Sequence, residues 1–228
     1  MALFLDSGNI NQIKKYLKMG IIRGVTTNPS ILSKEGITNG LHGIKKHCAS
    51  IIDVIKPLPL SVEVISNDKQ SMIEQAKMFS ELGDNINVKI SIHGPEGELH
   101  NIEVIHELES KHNIRINVTA MMSSQQCLVA AMAGATYVSL FGGRINDIGH
   151  STLVEIQKTR ALLDMLQLKS KIIIGSTRET CNIVEWLNAG AHIITILPIF
   201  LEKMIIHPYS KETVKMFLED SKKISVSL

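Results

Sequence analysis

The chain has 228 residues, 44% of them hydrophobic, enough for one large domain spanning residues 1–228, which excludes a disordered tail or a short disulfide-stapled module. Its 24 basic and 22 acidic residues leave a net charge of +2 and are mixed along the chain, so the clustered basic footprint of a nucleic-acid binder is absent. The longest apolar run, Ile193 to Leu201, is interrupted by Thr195 and Pro198 and falls short of the roughly 18–20 residues that a membrane span needs.

Short β-branched runs recur along the chain, at Leu3–Leu5, Ile21–Val25, Leu60–Val64, Ile86–Ile90, Arg115–Val118, Tyr137–Leu140, Lys171–Ile174 and Ile193–Ile196. The segments between them carry apolar residues at helical spacing, for example Leu41, Ile44, Cys48, Ile51 and Ile55, and read as amphipathic helices covering a sheet. Strand starts fall about 27 residues apart, close to the roughly 30 residues of a βαβ unit. Eight such units predict an α/β fold, a closed (β/α)8 TIM barrel. An open doubly wound sheet is the competitor, although no GxGxxG turn follows any strand to mark a dinucleotide site. After the last strand, Phe200–Ile206 and Ser210–Ser221 read as two helices broken by Pro208. The extra C-terminal helix, within 207–228, carries Val214, Phe217 and Leu218 and needs a surface to cover, on its own barrel or on a neighbouring subunit.

Cys48, Cys127 and Cys181 show no CxxC spacing and fall in apolar helix-like segments, which reads as three buried free thiols in a reducing compartment. Met1 to Asp6 has neither the basic region nor the cleavage site of a secretory signal. The expectation is a cytoplasmic protein.

In such a barrel, chemistry is built at the carboxyl ends of the strands, and almost every strand here ends in polar residues. Asp6 ends the first, Thr26 and Asn28 follow the second, Glu63 lies in the third and Lys89 in the fourth. Asn117 and Thr119 end the fifth, Ser139 and Phe141 the sixth, Ser176 and Arg178 the seventh. Four of these sets are i, i+2 pairs, which in an extended strand point to one face. Lys89 stands out because Ile86-Asn87-Val88-Lys89-Ile90 places an amine in a strand expected to be buried on both faces. It is either a lysine that snorkels or pairs with a carboxylate, or a Schiff-base nucleophile, since burial disfavours the ammonium form and frees an amine to attack a carbonyl. Asp6 and Glu63 read separately as caps or ion-pair partners and together with Lys89 as acid/base groups. Thr119 reads as a holder of water with Glu63, or as a hydroxyl bonded to backbone. Arg144 in Phe-Gly-Gly-Arg and Arg178 in Gly-Ser-Thr-Arg are surface charges or a phosphate grip, the glycines letting backbone amides approach an anion. The nine histidines show no HxH or HxxxH pairing at a strand end, so no metal site is expected.

Gly24-Val-Thr-Thr-Asn-Pro-Ser-Ile31, followed in order by Val62-Glu63-Val, Asn87-Val-Lys89-Ile, Asn117-Val-Thr119-Ala, Phe141-Gly-Gly-Arg144, Ser176-Thr-Arg178 and Ile194-Thr-Ile-Leu-Pro198, with Phe4-Leu-Asp6 before them, resembles the transaldolase family. The length is similar to its short, single-barrel branch, which includes small transaldolases and fructose-6-phosphate aldolase. The resemblance implies a transferase of the non-oxidative pentose phosphate pathway that uses phosphorylated sugars, with neither metal nor organic cofactor. Lys89 would form the Schiff base, Asp6 would act as general acid/base in C3–C4 cleavage, and Glu63 with Thr119 would position water. Asn28, Asn117 and Ser139 would bind the dihydroxyacetone end, in a pocket that Thr26 and Phe141 also line, while Arg144, Ser176 and Arg178 would grip phosphate. Aldolases of the branch have Tyr and Gln where this chain has Phe141 and Glu63, as transaldolases do, so group transfer is implied over release of free dihydroxyacetone. A sugar-phosphate binding barrel without turnover is the alternative of another class. The chain departs from the family pattern at Ser91-Ile92-His93-Gly94, where Pro-x-Thr is usual, and at Met121–Gln126; His93 reads as a structural loop residue, or as one that contacts an unusual acceptor or adjusts the lysine's environment. Short members form pentamers and decamers, which implies a homo-oligomer.

Overall fold

A computed structural model describes residues 3–224. In chain order the elements are β1 (Leu3–Asp6), α1 (Ile10–Lys18), β2 (Val25–Thr26), α2 (Pro29–Lys34), α3 (Gly40–Ile55), β3 (Leu60–Glu63), α4 (Lys69–Ser80), β4 (Ile86–Ser91), α5 (His100–His112), β5 (Ile116–Met121), α6 (Ser124–Met132), β6 (Tyr137–Phe141), α7 (Gly142–Asp147), α8 (Thr152–Met165), β7 (Lys171–Gly175), α9 (Cys181–Asn188), β8 (Ile193–Ile196), α10 (Pro198–Ile205) and α11 (Pro208–Ser221). The strands pair in sequence order, all parallel, and β8 returns to β1 with Leu3, Phe4 and Leu5 opposite Ile194, Thr195 and Ile196. That last pairing closes the (β/α)8 barrel and rules out the open sheet.

Strand alternation divides the apolar residues into two cores. Outward positions such as Leu5, Val62, Val88, Ile90, Val118, Leu140 and Ile174 join the buried faces of the helices in one large cluster. Inward positions contribute only Phe4, Tyr137, Ile173 and Ile193, a separate four-residue plug inside the barrel. Gly24 sets the shape of this plug, because a Cβ there would lie 2.6 Å from the Phe4 ring. Helix starts are locally encoded: Asn9, Asn28, Asp68, Ser123 and Ser151 each accept a hydrogen bond from a backbone N–H of the first turn, satisfying donors that the helix leaves free.

Three expectations change. The second strand is Val25–Thr26 rather than Ile21–Val25, because Ile21 and Ile22 serve the core beneath the helices and Gly24 lies flat against Phe4. The two last helices begin two residues earlier than expected, at Pro198 and Pro208, each with proline in its first turn; the missing N–H costs nothing there, so Pro208 belongs to α11 and is not a break before it. Cys48 and Cys127 are buried, with thiols pushed up to about 12 by burial, but Cys181 is exposed at the start of α9. Every described residue of α11 is exposed, including Val214, Phe217 and Leu218, and the expected helix end at 228 lies outside the described residues. Among the described residues no helix is long and apolar enough to cross a membrane.

Candidate active site

At the carboxyl end of the barrel, above the plug, a cavity of about 170 Å³ is lined by Asp6, Thr26, Asn28, Lys89, Asn117, Thr119, Ser139, Phe141, Arg144 and Ser176, with Ile173, Gly175 and Thr195. Most of these are inward residues two positions above an inward partner on the same strand: Asp6 follows Phe4, Lys89 follows Asn87, Thr195 follows Ile193. The alternation that fills the barrel with the plug thus also aims the polar groups at one volume.

Lys89 is only 7% exposed. Its Nζ lies 2.9 Å from Glu63 Oε2 and donates to the Thr27 carbonyl at 2.8 Å. Glu63 and Lys89 are register partners on adjacent strands, so the ladder itself brings carboxylate and amine together. Glu63 stays outside the cavity lining and reaches it through Lys89. Opposite them, burial pushes the Asp6 carboxyl above its ordinary range; the nearby Lys89 charge and the Thr26 hydrogen bond pull it down, and Glu63 adds to the rise. The Thr26 hydroxyl donates to Asp6 Oδ1 at 2.8 Å, and its oxygen therefore accepts from the Thr195 hydroxyl at 2.5 Å. A carboxyl held this way can exchange a proton with a bound hydroxyl.

Across β6, β5 and β3, Ser139 donates to Asn117 Oδ1 at 2.6 Å and Asn117 donates to Ser61 Oγ at 3.2 Å, which fixes the amide's orientation. The Thr119 hydroxyl and both polar atoms of the Asn87 side chain are buried without a hydrogen-bond partner, polar groups that a water or substrate oxygen would satisfy. A register shift follows Val118, and Ala120 has φ 60°, so β5 bulges just beyond Thr119. Asn28 lines the cavity while its Oδ1 accepts from Ile31 N at 2.8 Å, which leaves its amide nitrogen for a ligand.

The β6–β7 rim is built differently. Gly143 N donates to the Ser176 carbonyl at 2.9 Å, an approach closed to any residue with a Cβ, and Ser176 itself has φ 56°. Arg144 lies 5.4 Å from the centre of the Phe141 ring and lines the cavity. Arg178 instead pairs with Asp147 at 2.9 Å on the surface and is not among the lining residues. The structure thus brings together Lys89, Asp6, Glu63, Thr119 and seven of the expected binding residues, and leaves Arg178 at the rim. His93 is exposed, its ring bonded to the Gly94 carbonyl, away from the lining.

Sequence reasoning passed over Thr195, Ser61, the Thr27 carbonyl, Asn87 and Asp147. Thr195 had a usable signal: it is the single polar residue of the last strand, and strand alternation places it inward with Ile193. Ser61 and Asn87 had the same signal, each two residues before a named site residue. Nothing local marks Asp147 as the partner of Arg178.

The fold and the cavity define a (β/α)8 barrel organised for chemistry at the carboxyl ends of its strands, around a buried amine paired with one carboxylate and sharing its cavity with another. The chain belongs to the transaldolase/fructose-6-phosphate aldolase family, whose model matches residues 3–228. It is 39% identical to a "probable transaldolase" from Carboxydothermus hydrogenoformans, covering 96% of this chain and 97% of that one. It is 37% identical to a "probable transaldolase" from Thermoplasma volcanium, with 99% and 97% covered. Among solved structures, a Burkholderia cenocepacia protein provisionally named a phosphonomutase superposes with TM-score 0.62 at 15% identity over 96% of this chain and 93% of that one, a likeness of fold alone.

Proposed function

We propose that this protein is a transaldolase, moving a dihydroxyacetone unit from a ketose phosphate, sedoheptulose 7-phosphate or fructose 6-phosphate, to an aldose phosphate, glyceraldehyde 3-phosphate or erythrose 4-phosphate, in the non-oxidative pentose phosphate pathway. The observation that carries this reading is the Lys89 amine, buried at a strand end 2.9 Å from Glu63 and sharing one cavity with Asp6 and Thr119. The amine attacks the ketose carbonyl; loss of water from the carbinolamine, with Glu63 and Thr119 handling protons and water, leaves an imine. Asp6 takes the proton of the C4 hydroxyl, the C3–C4 bond breaks, and its electrons pass into the imine to give an enamine while the aldose leaves. The acceptor aldehyde then adds to the enamine, its oxygen taking a proton from Asp6, and hydrolysis of the new imine restores Lys89. Asn28, Asn117 and Ser139 bind the dihydroxyacetone end, Thr26 orients Asp6, and Arg144, Ser176 and Arg178 attend the phosphate.

Phe141, an apolar ring at the β6 end, supplies no proton to the enamine, which favours transfer over release of free dihydroxyacetone. Borohydride trapping with fructose 6-phosphate tests the imine and is expected to add mass to the peptide holding Lys89. Product analysis with and without erythrose 4-phosphate tests transfer; free dihydroxyacetone formed equally in both would make the protein an aldolase instead, and saturable binding with no trapping at any pH would make it a binding barrel.

The protein is further proposed to work in the cytoplasm as a homo-oligomer, a pentamer or decamer. Support comes from α11, none of whose described residues is buried and whose Val214, Phe217 and Leu218 are exposed. Truncation at Pro208 is expected to lower the sedimentation coefficient to that of a smaller assembly; an unchanged value would separate α11 from assembly.

A further inference from the structure

At the amino-terminal mouth of the barrel, opposite the candidate active site, lies a second cavity of about 650 Å³. It has the size of a small-molecule site and is larger than the cavity at Lys89. Three cations line it, Lys56, Arg115 and Lys171, against one carboxylate, Asp84. Among the described residues neither lysine has an ion-pair partner. Arg115 Nη2 donates to the carbonyls of Asp84 and Ile86, which holds the guanidinium at the wall and leaves its remaining N–H groups as donors.

Tyr137 supplies an independent observation. It is only 7% exposed and belongs to the apolar plug, yet it also lines this cavity, and its hydroxyl makes no hydrogen bond to a described residue. Burial pushes its phenol up, and the charge of Arg115 opposes that rise, so the hydroxyl sits within the field of the guanidinium. The hydroxyl opens onto the cavity that Lys56, Arg115 and Lys171 also line, where it can donate to or accept from a ligand. A ligand that is rich in acceptor oxygens and negatively charged satisfies all four at once.

We infer that the amino-terminal mouth is a binding site for a small phosphorylated anion, held by Lys56, Arg115 and Lys171 and by the Tyr137 hydroxyl. Phosphate oxygens match the guanidinium fork and two mobile ammonium groups, and the cavity volume leaves room for the rest of a metabolite. The plug of Phe4, Tyr137, Ile173 and Ile193 stands between this mouth and Lys89, so the ligand is not a substrate on its way to the amine.

Calorimetric titration of the full-length protein with inorganic pyrophosphate tests the site. The double variant Lys56→Gln/Lys171→Gln is expected to weaken binding by about tenfold or more, and Tyr137→Phe by about threefold. Arg144→Gln, at the other end of the barrel, should leave this binding event in place. Absence of saturable binding, or binding lost in Arg144→Gln and unchanged in the double variant, overturns the inference. Both lysines are exposed, so the double variant keeps the test decisive should Tyr137→Phe disturb the plug. No activity is read, so the outcome is separate from that of the catalytic proposal.

Discussion

On the β3–β5 side of the cavity, Glu63, Lys89, Asn117 and Thr119 are inward residues of hydrogen-bonded strands, fixed in height by the ladder and buried or half-buried. On the β6–β7 side, Arg144 sits on a six-residue helix, Ser176 in a left-handed turn and Arg178 on an exposed loop held by Asp147. The strand wall positions its groups before any ligand arrives, which suits bond-making chemistry that tolerates little misplacement. The rim holds its cations by contacts exposed to water, where ion pairs contribute little, so they can follow a ligand without disturbing the barrel.

This contrast orders the expected effects of mutation. Lys89→Ala, on the wall, should abolish turnover and borohydride trapping while the barrel melts as one unit; unchanged turnover in the intact variant would move the chemistry away from the wall. Glu63→Gln should lower kcat by about 10²-fold with a smaller change in KM, since the carboxylate touches Lys89 and does not line the cavity; a pure KM effect would make it a binding group. On the rim, Arg144→Ala should raise KM for a sugar phosphate by about tenfold, against about threefold or less for Arg178→Ala, whose pair with Asp147 is exposed. If steady-state kinetics reverse that order, the Arg178 loop must close over the substrate and the rim is as organised as the wall.

The smallest effect concerns stability. Because burial raises the Asp6 carboxyl above its ordinary 3.8, the folded state holds this proton more tightly than the unfolded chain. Stability from this group is therefore complete below the ordinary value and declines as pH rises through the raised one. Asp6→Asn should accordingly raise Tm modestly at neutral pH, with the gain vanishing in acid below the ordinary carboxylate range; an equal gain at all pH values would assign it to packing instead.

Legibility follows the same divide. Seven of the eight strands and a buried lysine could be read directly, because a parallel strand covered on both faces leaves a near-continuous apolar run in which one amine is conspicuous. The helix caps were equally local. Thr195, Ser61 and Asn87 were legible in principle by alternation but unremarkable as residue types. The pairing of Arg178 with Asp147, the plug of Phe4 against Gly24, and the exposure of Cys181 depend on which segments meet, and no period in the chain reports that.

By itself, then, the order of residues determined the repeating βα units, the inward face of each strand and the family motifs, since these rest on local spacing and side-chain chemistry. Closure of β8 onto β1, the separation of the interior into a polar mouth at each end of an apolar plug, and the division of the arginines between cavity and surface were decided only in three dimensions. Each depends on contacts between residues far apart in the chain, where geometry and not sequence spacing sets the distance.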